Sequence, residues 1–159
     1  MIPLLGVPVS LILKVNSLSD ASLIDKLYAA GAAGVKIEMI VRGIFCAEID
    51  RKKFKQPVKA ISIVDEYLEH SRVMIFHNQG KEKVYISSAD WMVRNLNHRV
   101  EAAVPITDPI IKQELIDIIH IQLRDNVKAR ILNSELANNY VPFVGKKKIR
   151  SQIETYHYL

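Results

Sequence analysis

The sequence predicts an α/β fold in which a mixed β-sheet is flanked by helices. Three observations lead to this prediction: a strand–helix–strand unit at the start of the chain, a β-hairpin near its middle, and a strongly marked helix start at Asp108-Pro109. The 159 residues are 49% apolar, which is enough for one core and a single domain. We expect residues 10–159 to form that domain and residues 1–9 to be a lead-in segment.

The opening unit consists of two strands with a helix between them. Residues 9–15 and 35–41 are apolar runs of the length and composition typical of buried strands. A helix can begin after Ser19 or Asp20 and stop at Gly31 or Gly34. A connection of this kind makes the two strands parallel and the unit right-handed.

The middle of the chain is expected to contain a short helix and three further strands. The helix is predicted over residues 61–69. Two strands, 72–76 and 83–87, are separated by turn-forming residues 78–80 and therefore indicate a hairpin. Residues 99–106 form the next predicted strand.

Two helices are expected in the last third of the chain. Asp108 is followed by proline at the first helical position, and this helix should keep an apolar stripe and end near Asp125. After an irregular stretch over residues 133–145, the basic run Lys146, Lys147 and Lys148 is predicted to open a final helix.

Charge and cysteine content narrow the function classes. A net charge of +5 and a pI near 9.3 favour anionic partners, whether nucleotides, polyphosphate, nucleic acid or a membrane surface. The single cysteine, Cys46, excludes a disulfide framework and a multi-cysteine zinc site. The apolar start of the chain reaches a lysine too soon to span a bilayer. We therefore expect a cytoplasmic protein, with association at a membrane surface as the alternative.

His70 and Arg72 form the first candidate for a chemical site. They lie two residues apart at the entrance to a predicted strand, so both side chains share one face of the extended chain. Such a pair can hold phosphate while the imidazole attacks it or moves a proton. The alternative is a surface histidine that ends a helix, beside an arginine that pairs with Glu66 or Glu69. Spacing alone favours that alternative.

Ser88, Asp90 and Arg94 form the second candidate. They follow the second hairpin strand, where small hydroxyl residues let the backbone approach a ligand and where Asp90 and Arg94 could orient phosphate. The alternative is a helix N-terminus capped by Ser88 or Asp90, with Trp91 packed in the core.

Arg42-Gly43 is the third candidate, because it follows the second predicted strand. Ligands of parallel sheets gather at the carboxyl ends of the strands, and a guanidinium suits phosphate oxygens. The alternative is a salt bridge between Arg42 and Glu48 or Asp50.

The two basic runs, 51–59 and 146–150, are the fourth candidate. The first is expected to be a solvated surface. Lys146, Lys147 and Lys148 would open a helix, where cations are disfavoured unless an anion lies nearby, so they are candidate contacts for a bound anion such as phosphate. A solvated run remains the alternative. The other histidines show no metal-ligand spacing, so no metal site is expected in this chain.

Taken together, His70-x-Arg72, Ser88-x-Asp90 and Arg94 resemble one half-site of the phospholipase D superfamily. In that superfamily two half-sites meet, each contributes a histidine, and one of the two histidines becomes a phosphohistidine. The chain contains one half, so the other is expected from another domain or another subunit.

Several blocks in the same order also resemble the C-terminal, phospholipase D-like region of polyphosphate kinases of the long-chain synthetic type. They are residues 14–18, 40–44, 67–72, 84–92, 94–95, 126–130 and 139–142. The resemblance implies reversible transfer of the terminal phosphate of ATP to polyphosphate. It implies that Arg42 is an ATP-phosphate ligand, and that His70 is a second active-site histidine that contacts nucleotide and helps proton transfer.

The same resemblance implies cofactor and partners. The phosphorylated histidine and the arginines associated with Mg²⁺ are expected in upstream domains, and the enzyme is expected to bind ATP, ADP and polyphosphate and to form a homo-oligomer. Nucleic acid is not an expected partner. The chain by itself is expected not to turn over. Two rival readings are a phospholipase D-type phosphodiesterase that works as a homodimer of half-sites, and a non-catalytic polyanion-binding module.

Overall fold

The computed structural model describes residues 9–135, 137–145 and 147–159, which form a mixed sheet flanked by helices. The strands of these residues are Ser10–Val15 (β1), Lys36–Val41 (β2), Lys59–Ile63 (β3), Val73–Phe76 (β4), Lys83–Ser87 (β5), Ala103–Ile106 (β6) and Ala129–Ile131 (β7). The helices are Ala21–Ala33 (α1), Val93–His98 (α2), Pro109–Leu123 (α3) and Ser151–Tyr158 (α4). The strands form one sheet in the order β6–β5–β4–β1–β2–β3–β7. The predicted fold class is confirmed. Most of the expected lead-in segment, residues 1–8, lies outside the described residues.

β1, α1 and β2 form the predicted strand–helix–strand unit. The two strands are parallel, with Val15 opposite Val41. Asp20 caps α1, since its Oδ1 accepts a hydrogen bond of 2.9 Å from the backbone N–H of Leu23. The helix ends at Gly34, whose φ of 102° lies in the left-handed region that favours glycine. Both predicted strands and the helix between them are therefore confirmed.

The helix predicted over residues 61–69 is wrong. Lys59–Ile63 is instead strand β3, which pairs in parallel with β2, and residues 64–72 contain no helix or strand. Ile61 and Ile63 are buried because β3 lies between β2 and β7 and has both faces covered. A short apolar run of this kind has no period that separates a buried strand from a helix. Hydrogen bonding to β2 makes this segment a strand.

The predicted hairpin is confirmed. β4 and β5 pair antiparallel, with Met74 opposite Tyr85, around a tight turn at Asn78–Gly80. β6 extends the sheet antiparallel to β5. It begins at Ala103, later than the predicted start at Arg99.

α3 begins where the sequence predicted. Oδ1 of Asp108 accepts hydrogen bonds from the backbone N–H groups of Ile110, at 2.8 Å, and Ile111, at 3.1 Å. Its predicted apolar stripe is buried towards the end of the helix, at Ile119 and Leu123, whereas Ile111 is exposed.

The final helix begins later than predicted. α4 starts at Ser151, with Arg150 as its N-cap, so Lys147 and Lys148 precede the helix. The expectation that the basic run opens this helix is therefore wrong for those two residues. Lys146 lies outside the described residues.

Asp125 fixes the junction between β7 and α4. This residue is 1% exposed, and its Oδ2 accepts a hydrogen bond of 2.7 Å from the backbone N–H of Ser151. Oδ1 accepts three more, from the backbone N–H groups of Val127, Lys128 and Ala129 at 2.9, 2.7 and 3.0 Å. Burial acts to raise the pKa of Asp125, but these hydrogen bonds outweigh it and hold the pKa below its ordinary value. The bond to Ser151 is the physical reason that α4 starts there.

The core has two parts, one on each face of the sheet. Leu13 and Val41 face α1 and pack in one cluster. Ile12 and Ile40 face the opposite way and pack against Ile119 of α3 in the other cluster. Alternate side chains of the central strands are thus buried on opposite faces, which fixes the register of the strand ends.

Candidate functional site

One edge of the sheet gathers the residues predicted for the site. β1 and β2 both end at this edge, directly before Asn16 and Arg42. β4 runs antiparallel to β1 and therefore begins there, just after His70 and Arg72. β5 runs antiparallel to β4 and ends there, shortly before Asp90. Residues from four separate segments thus meet at one place.

Asp90 is buried, at 6% exposure, and organises this edge. Its Oδ1 accepts hydrogen bonds from the backbone N–H groups of Asn16, at 2.7 Å, and Ser17, at 3.1 Å. Arg72 donates to both oxygens, from Nε to Oδ1 at 3.2 Å and from Nη2 to Oδ2 at 3.0 Å. Burial acts to raise the pKa of Asp90, but these hydrogen bonds outweigh it and hold the pKa below its ordinary value. The carboxylate is directed at protein groups.

Arg72 orients His70. Nη1 of Arg72 lies 3.1 Å from Nδ1 of His70 and also donates to its backbone oxygen at 3.2 Å. A guanidinium can only donate, so Nδ1 is the acceptor and the ring proton of neutral His70 lies on Nε2. The imidazole is exposed and available to a ligand. The alternative that pairs Arg72 with Glu66 or Glu69 is wrong, because its partner is Asp90.

Arg42 faces the same edge. Its Nε donates to Oδ1 of Asn16 at 3.0 Å. Neither Glu48 nor Asp50, the predicted alternative partners, forms an ion pair with it among the described residues. The next residue, Gly43, passes close to β1, where an added Cβ would lie 3.1 Å from the backbone oxygen of Asn16. Glycine therefore permits the turn that positions the guanidinium.

An ion pair that the sequence analysis missed anchors the loop before His70. Oε2 of Glu69 accepts hydrogen bonds from Nζ of Lys14 and, at 2.6 Å, from Nε2 of Gln122. Oε1 accepts one from Nε2 of Gln152 at 3.2 Å. Side chains from β1, α3 and α4 therefore hold the residue next to His70.

Lys14 is the buried member of that pair, at 4% exposure. Burial lowers its pKa below the ordinary value, the carboxylate of Glu69 opposes this effect, and the guanidinium of Arg42 adds to it. A lysine inside the apolar strand β1 was the signal that could have revealed the pair, because a lysine buried in a covered strand needs a partner.

Ser88 directly follows β5, and Arg94 lies in α2. The hydroxyl of Ser88 donates to Oε2 of Glu101, and Nδ2 of Asn95 donates to Oε1 of Glu101 at 2.7 Å. These hydrogen bonds, first that of Ser88, lower the pKa of Glu101. Arg94 is exposed. The alternative of a helix capped by Ser88 or Asp90 is wrong, since α2 has Met92 as its N-cap.

The second basic run lies near the loop that leads to His70. Arg150 binds Asp65 in that loop through two hydrogen bonds of 2.8 Å, and it also reaches Glu66 at 3.0 Å. The hydrogen bond from Arg150 lowers the pKa of Asp65. Lys147 pairs with Glu154 at 2.8 Å, and Lys148 is exposed.

The part of the chain that the structure describes contains neither a cluster of metal-binding side chains nor a membrane-spanning helix. No three side chains of His, Cys, Asp or Glu come together in a way that could hold a metal ion. No helix of that part combines the length and the hydropathy needed to cross a bilayer.

Comparison with known proteins decides the family. Residues 4–152 match the sequence family described as "Polyphosphate kinase C-terminal domain 2", a match that begins before the expected boundary at Ser10. The chain belongs to the polyphosphate kinase family. The prediction drawn from the residue blocks is thereby confirmed.

Two polyphosphate kinases illustrate the similarity in sequence. The chain is 49% identical to that of Vibrio parahaemolyticus and 47% identical to that of Escherichia coli K12, in each case over 154 residues. These alignments cover 97% of this chain and 22% of either enzyme. The chain thus spans about a fifth of the length of these polyphosphate kinases.

Solved structures agree with this assignment. The crystal structure of polyphosphate kinase from Porphyromonas gingivalis matches 96% of this chain and 24% of its own, with a TM-score of 0.92 and 48% identity. Nuc from Salmonella typhimurium, a phospholipase D family member, matches 81% of this chain and 85% of its own, with a TM-score of 0.59 and 15% identity. The second likeness shows a shared fold and confirms the predicted phospholipase D-like architecture.

Proposed function

We propose that this chain is the C-terminal catalytic part of an enzyme that moves the terminal phosphate of ATP reversibly onto polyphosphate through a phosphohistidine. The observation that carries the proposal is the linkage of Arg42 to His70 at one sheet edge, in a chain of the polyphosphate kinase family. The histidine that takes the phosphate is expected in another part of the enzyme.

Arg42 is proposed to bind phosphate oxygens of ATP. Its Nε is occupied by Asn16, while its Nη1 and Nη2 have no hydrogen-bond partner among the described residues. Two parallel N–H groups on a planar cation match two oxygens of a phosphate.

His70 is proposed to donate a proton or a hydrogen bond and not to receive the phosphate. Contact of Nδ1 with Arg72 leaves the proton of the neutral ring on Nε2, and the residue as a whole is exposed. A nucleophilic nitrogen needs a free lone pair, whereas an N–H can donate to the oxygen on which charge develops when the phosphate bond breaks. This tautomer supports hydrogen-bond donation from Nε2. Donation of a proton would need the imidazolium, in which Nδ1 carries a hydrogen and cannot accept from Arg72.

Of the remaining candidates, Arg72 and Asp90 are better suited to positioning than to direct phosphate contact. Arg72 donates two hydrogen bonds to Asp90, and it also contacts His70. Ser88 shares its hydroxyl with Glu101, and exposed Arg94 is the candidate that is free to meet an incoming phosphate chain.

Mg²⁺ remains part of the proposal, with its ligands in other parts of the enzyme. When bound, the ion would neutralise charge on the transferring phosphate. The carboxylates at this edge do not fit it, because Asp90 accepts four hydrogen bonds and Glu101 is held by Ser88 and Asn95. We therefore derive no step through the ion.

Lys146, Lys147 and Lys148 are proposed to guide polyphosphate. Two observations support this proposal: Arg150 holds the end of the basic run to the loop before His70, and the side chain of Lys148 is exposed. A cytoplasmic location, which the lone Cys46 fits, and assembly into a homo-oligomer also remain proposals.

The proposal is tested by polyphosphate synthesis from γ-labelled ATP in a polyphosphate kinase that contains this domain. His70→Ala should lower the rate by about 10²–10⁴-fold, the range for a lost general acid or base. His77→Ala is a matched control, since His77 lies at the other end of β4 beside Glu82. Activity of His70→Ala within a few-fold of the control would contradict the assignment.

A further inference from the structure

Asn16 makes three hydrogen bonds that join three segments of the site. Its backbone N–H donates to Oδ1 of Asp90 at 2.7 Å, and its backbone oxygen accepts from the N–H of Gly43 at 2.7 Å. Its side-chain Oδ1 accepts from Nε of Arg42 at 3.0 Å. The residue is only 6% exposed. It therefore lies beneath the surface that a ligand would touch.

The orientation of the Asn16 amide follows from the chemistry of its partner. Nε of Arg42 can only donate, so the side-chain oxygen must face it. The amide nitrogen, Nδ2, is buried and has no hydrogen-bond partner among the described residues. A buried donor without a partner costs stability, so an asparagine is poorly explained here by folding alone. Its side chain is accounted for by the one bond it makes to Arg42.

That bond restricts the guanidinium of Arg42. A guanidinium is planar, so holding Nε limits the directions in which Nη1 and Nη2 can point. Asn16 is also connected to Nδ1 of His70, since its backbone N–H binds Asp90, Asp90 binds Arg72 and Arg72 contacts the ring. A continuous path of hydrogen bonds thus runs from Arg42 to His70, and Asn16 is the link between β1 and β2 in that path.

We propose that Asn16 is a positioning residue that aims Arg42 at the phosphate of the nucleotide and keeps it in register with His70. This inference rests on the proposed function. Asn16 acts through Arg42 and does not itself touch the substrate. Its removal should therefore weaken nucleotide binding chiefly through the loss of an oriented Arg42.

A double-mutant cycle tests this coupling. We would measure kcat and the KM for ATP in polyphosphate synthesis for Asn16→Ala, Arg42→Ala and the double variant, in a polyphosphate kinase that contains this domain. Asn16→Ala should raise the KM for ATP by about tenfold, as expected for a lost hydrogen bond to a charged group. In the Arg42→Ala background the same change should add less than about twofold, because the group it positions is gone.

A purely structural role for Asn16 gives a different result. Its effect would then be the same in both backgrounds, and such additivity would overturn the proposal. Ser19→Ala is the matched control, since Ser19 lies in the same loop and its side chain makes no hydrogen bond among the described residues. The Ser19→Ala variant should have the kcat and the KM for ATP of the wild-type enzyme.

A thermal melt of each variant shows whether it folds, so that a lost structure is not mistaken for a lost interaction. If Asn16→Ala does not fold, Asn16→Ser replaces it, because the hydroxyl is polar but too short to reach Nε of Arg42. If the proposed function is wrong, the wild-type enzyme itself will make no polyphosphate. Failure of the inference alone would appear as an active enzyme with additive effects of Asn16 and Arg42.

Discussion

The guanidinium of Arg72 and the carboxylate of Asp90 are joined at two points, from Nε to Oδ1 at 3.2 Å and from Nη2 to Oδ2 at 3.0 Å. The two parts of the motif noticed in the sequence, His70-x-Arg72 and Ser88-x-Asp90, therefore hold each other. Arg72 passes this constraint to His70, whose Nδ1 it contacts. The geometry of the histidine thus depends on a buried carboxylate whose two oxygens both bind protein groups.

Asp90→Asn should release that constraint. An amide has one acceptor in place of two, and its NH₂ group would face donors, so Arg72 should no longer fix the ring of His70. We expect polyphosphate synthesis to fall by about a hundredfold, the cost of a small misplacement of a catalytic group. The ¹⁵N shifts of the ring should show a proton on Nε2 in the unchanged protein and a mixture of tautomers in the variant. Unchanged shifts together with unchanged activity would rule out this role.

Arg42→Lys should weaken nucleotide binding. A lysine can make one contact where the arginine presents two N–H groups, and it cannot keep the bond to Asn16 at the same time. We expect the KM for ATP to rise by about tenfold or more, since charge-assisted hydrogen bonds are lost. Arg51→Lys is the control, because the guanidinium of Arg51 lies over the ring of Tyr28, 4.1 Å from its centroid. If both variants leave the KM unchanged, Arg42 is structural.

Changing Lys146, Lys147 and Lys148 together to glutamine should weaken polyphosphate binding while leaving ATP affinity nearly unchanged. The effect should be larger at low salt, because ions screen exposed charges. Removal of three charges from another basic segment, by changing Lys52, Lys53 and Lys55 to glutamine, is the matched control. If the two triple variants lose equal affinity for polyphosphate, total charge determines binding and the second basic run is not a specific contact.

Asp125→Asn should destabilise the fold in a pH-dependent way. The carboxylate accepts four backbone hydrogen bonds, so its replacement should cost about 2 kcal/mol or more near pH 7. The folded-state pKa of Asp125 lies below the ordinary 3.8, so its contribution is complete above that value and is lost as the pH falls through the lower folded-state pKa.

The difference in free energy of unfolding between the two proteins should therefore narrow in acid. Urea unfolding at about pH 6 and about pH 3 measures it. Asp25→Asn, on the exposed side of α1, is the control and should change stability little at either pH. A difference for Asp125→Asn that is the same at both values would contradict the low pKa.

Local signals in the sequence were sufficient for much of the fold. The caps at Asp20 and Asp108 bind N–H groups two or three residues away, so the chain itself displays them. The strand β3 was mistaken for a helix because Ile61 and Ile63 lie in a run too short to show a period. The strand β7 has three residues and includes Arg130, so it carries no apolar pattern of its own.

The site was predictable in part, for a similar reason. Arg42, His70 and Arg72 follow or precede strands, and the topology of the sheet brings such positions together. Their partners are separated in the chain: Lys14 lies 55 residues from Glu69, and Asn16 lies 26 from Arg42. Nothing within either short segment indicates these pairs, because they form when strands and helices pack.

The last helix makes the site depend on the order of synthesis. Gln152 holds Glu69, Arg150 holds Asp65, and Ser151 holds Asp125. A growing chain that has not yet reached these three residues contains β1 to β7 and can hold Glu69 through Lys14 and Gln122, but it lacks the contacts that residues 150–152 add. The loop before His70 should therefore gain its full set of contacts only after the ribosome has added α4, and a chain released earlier should hold His70 less firmly.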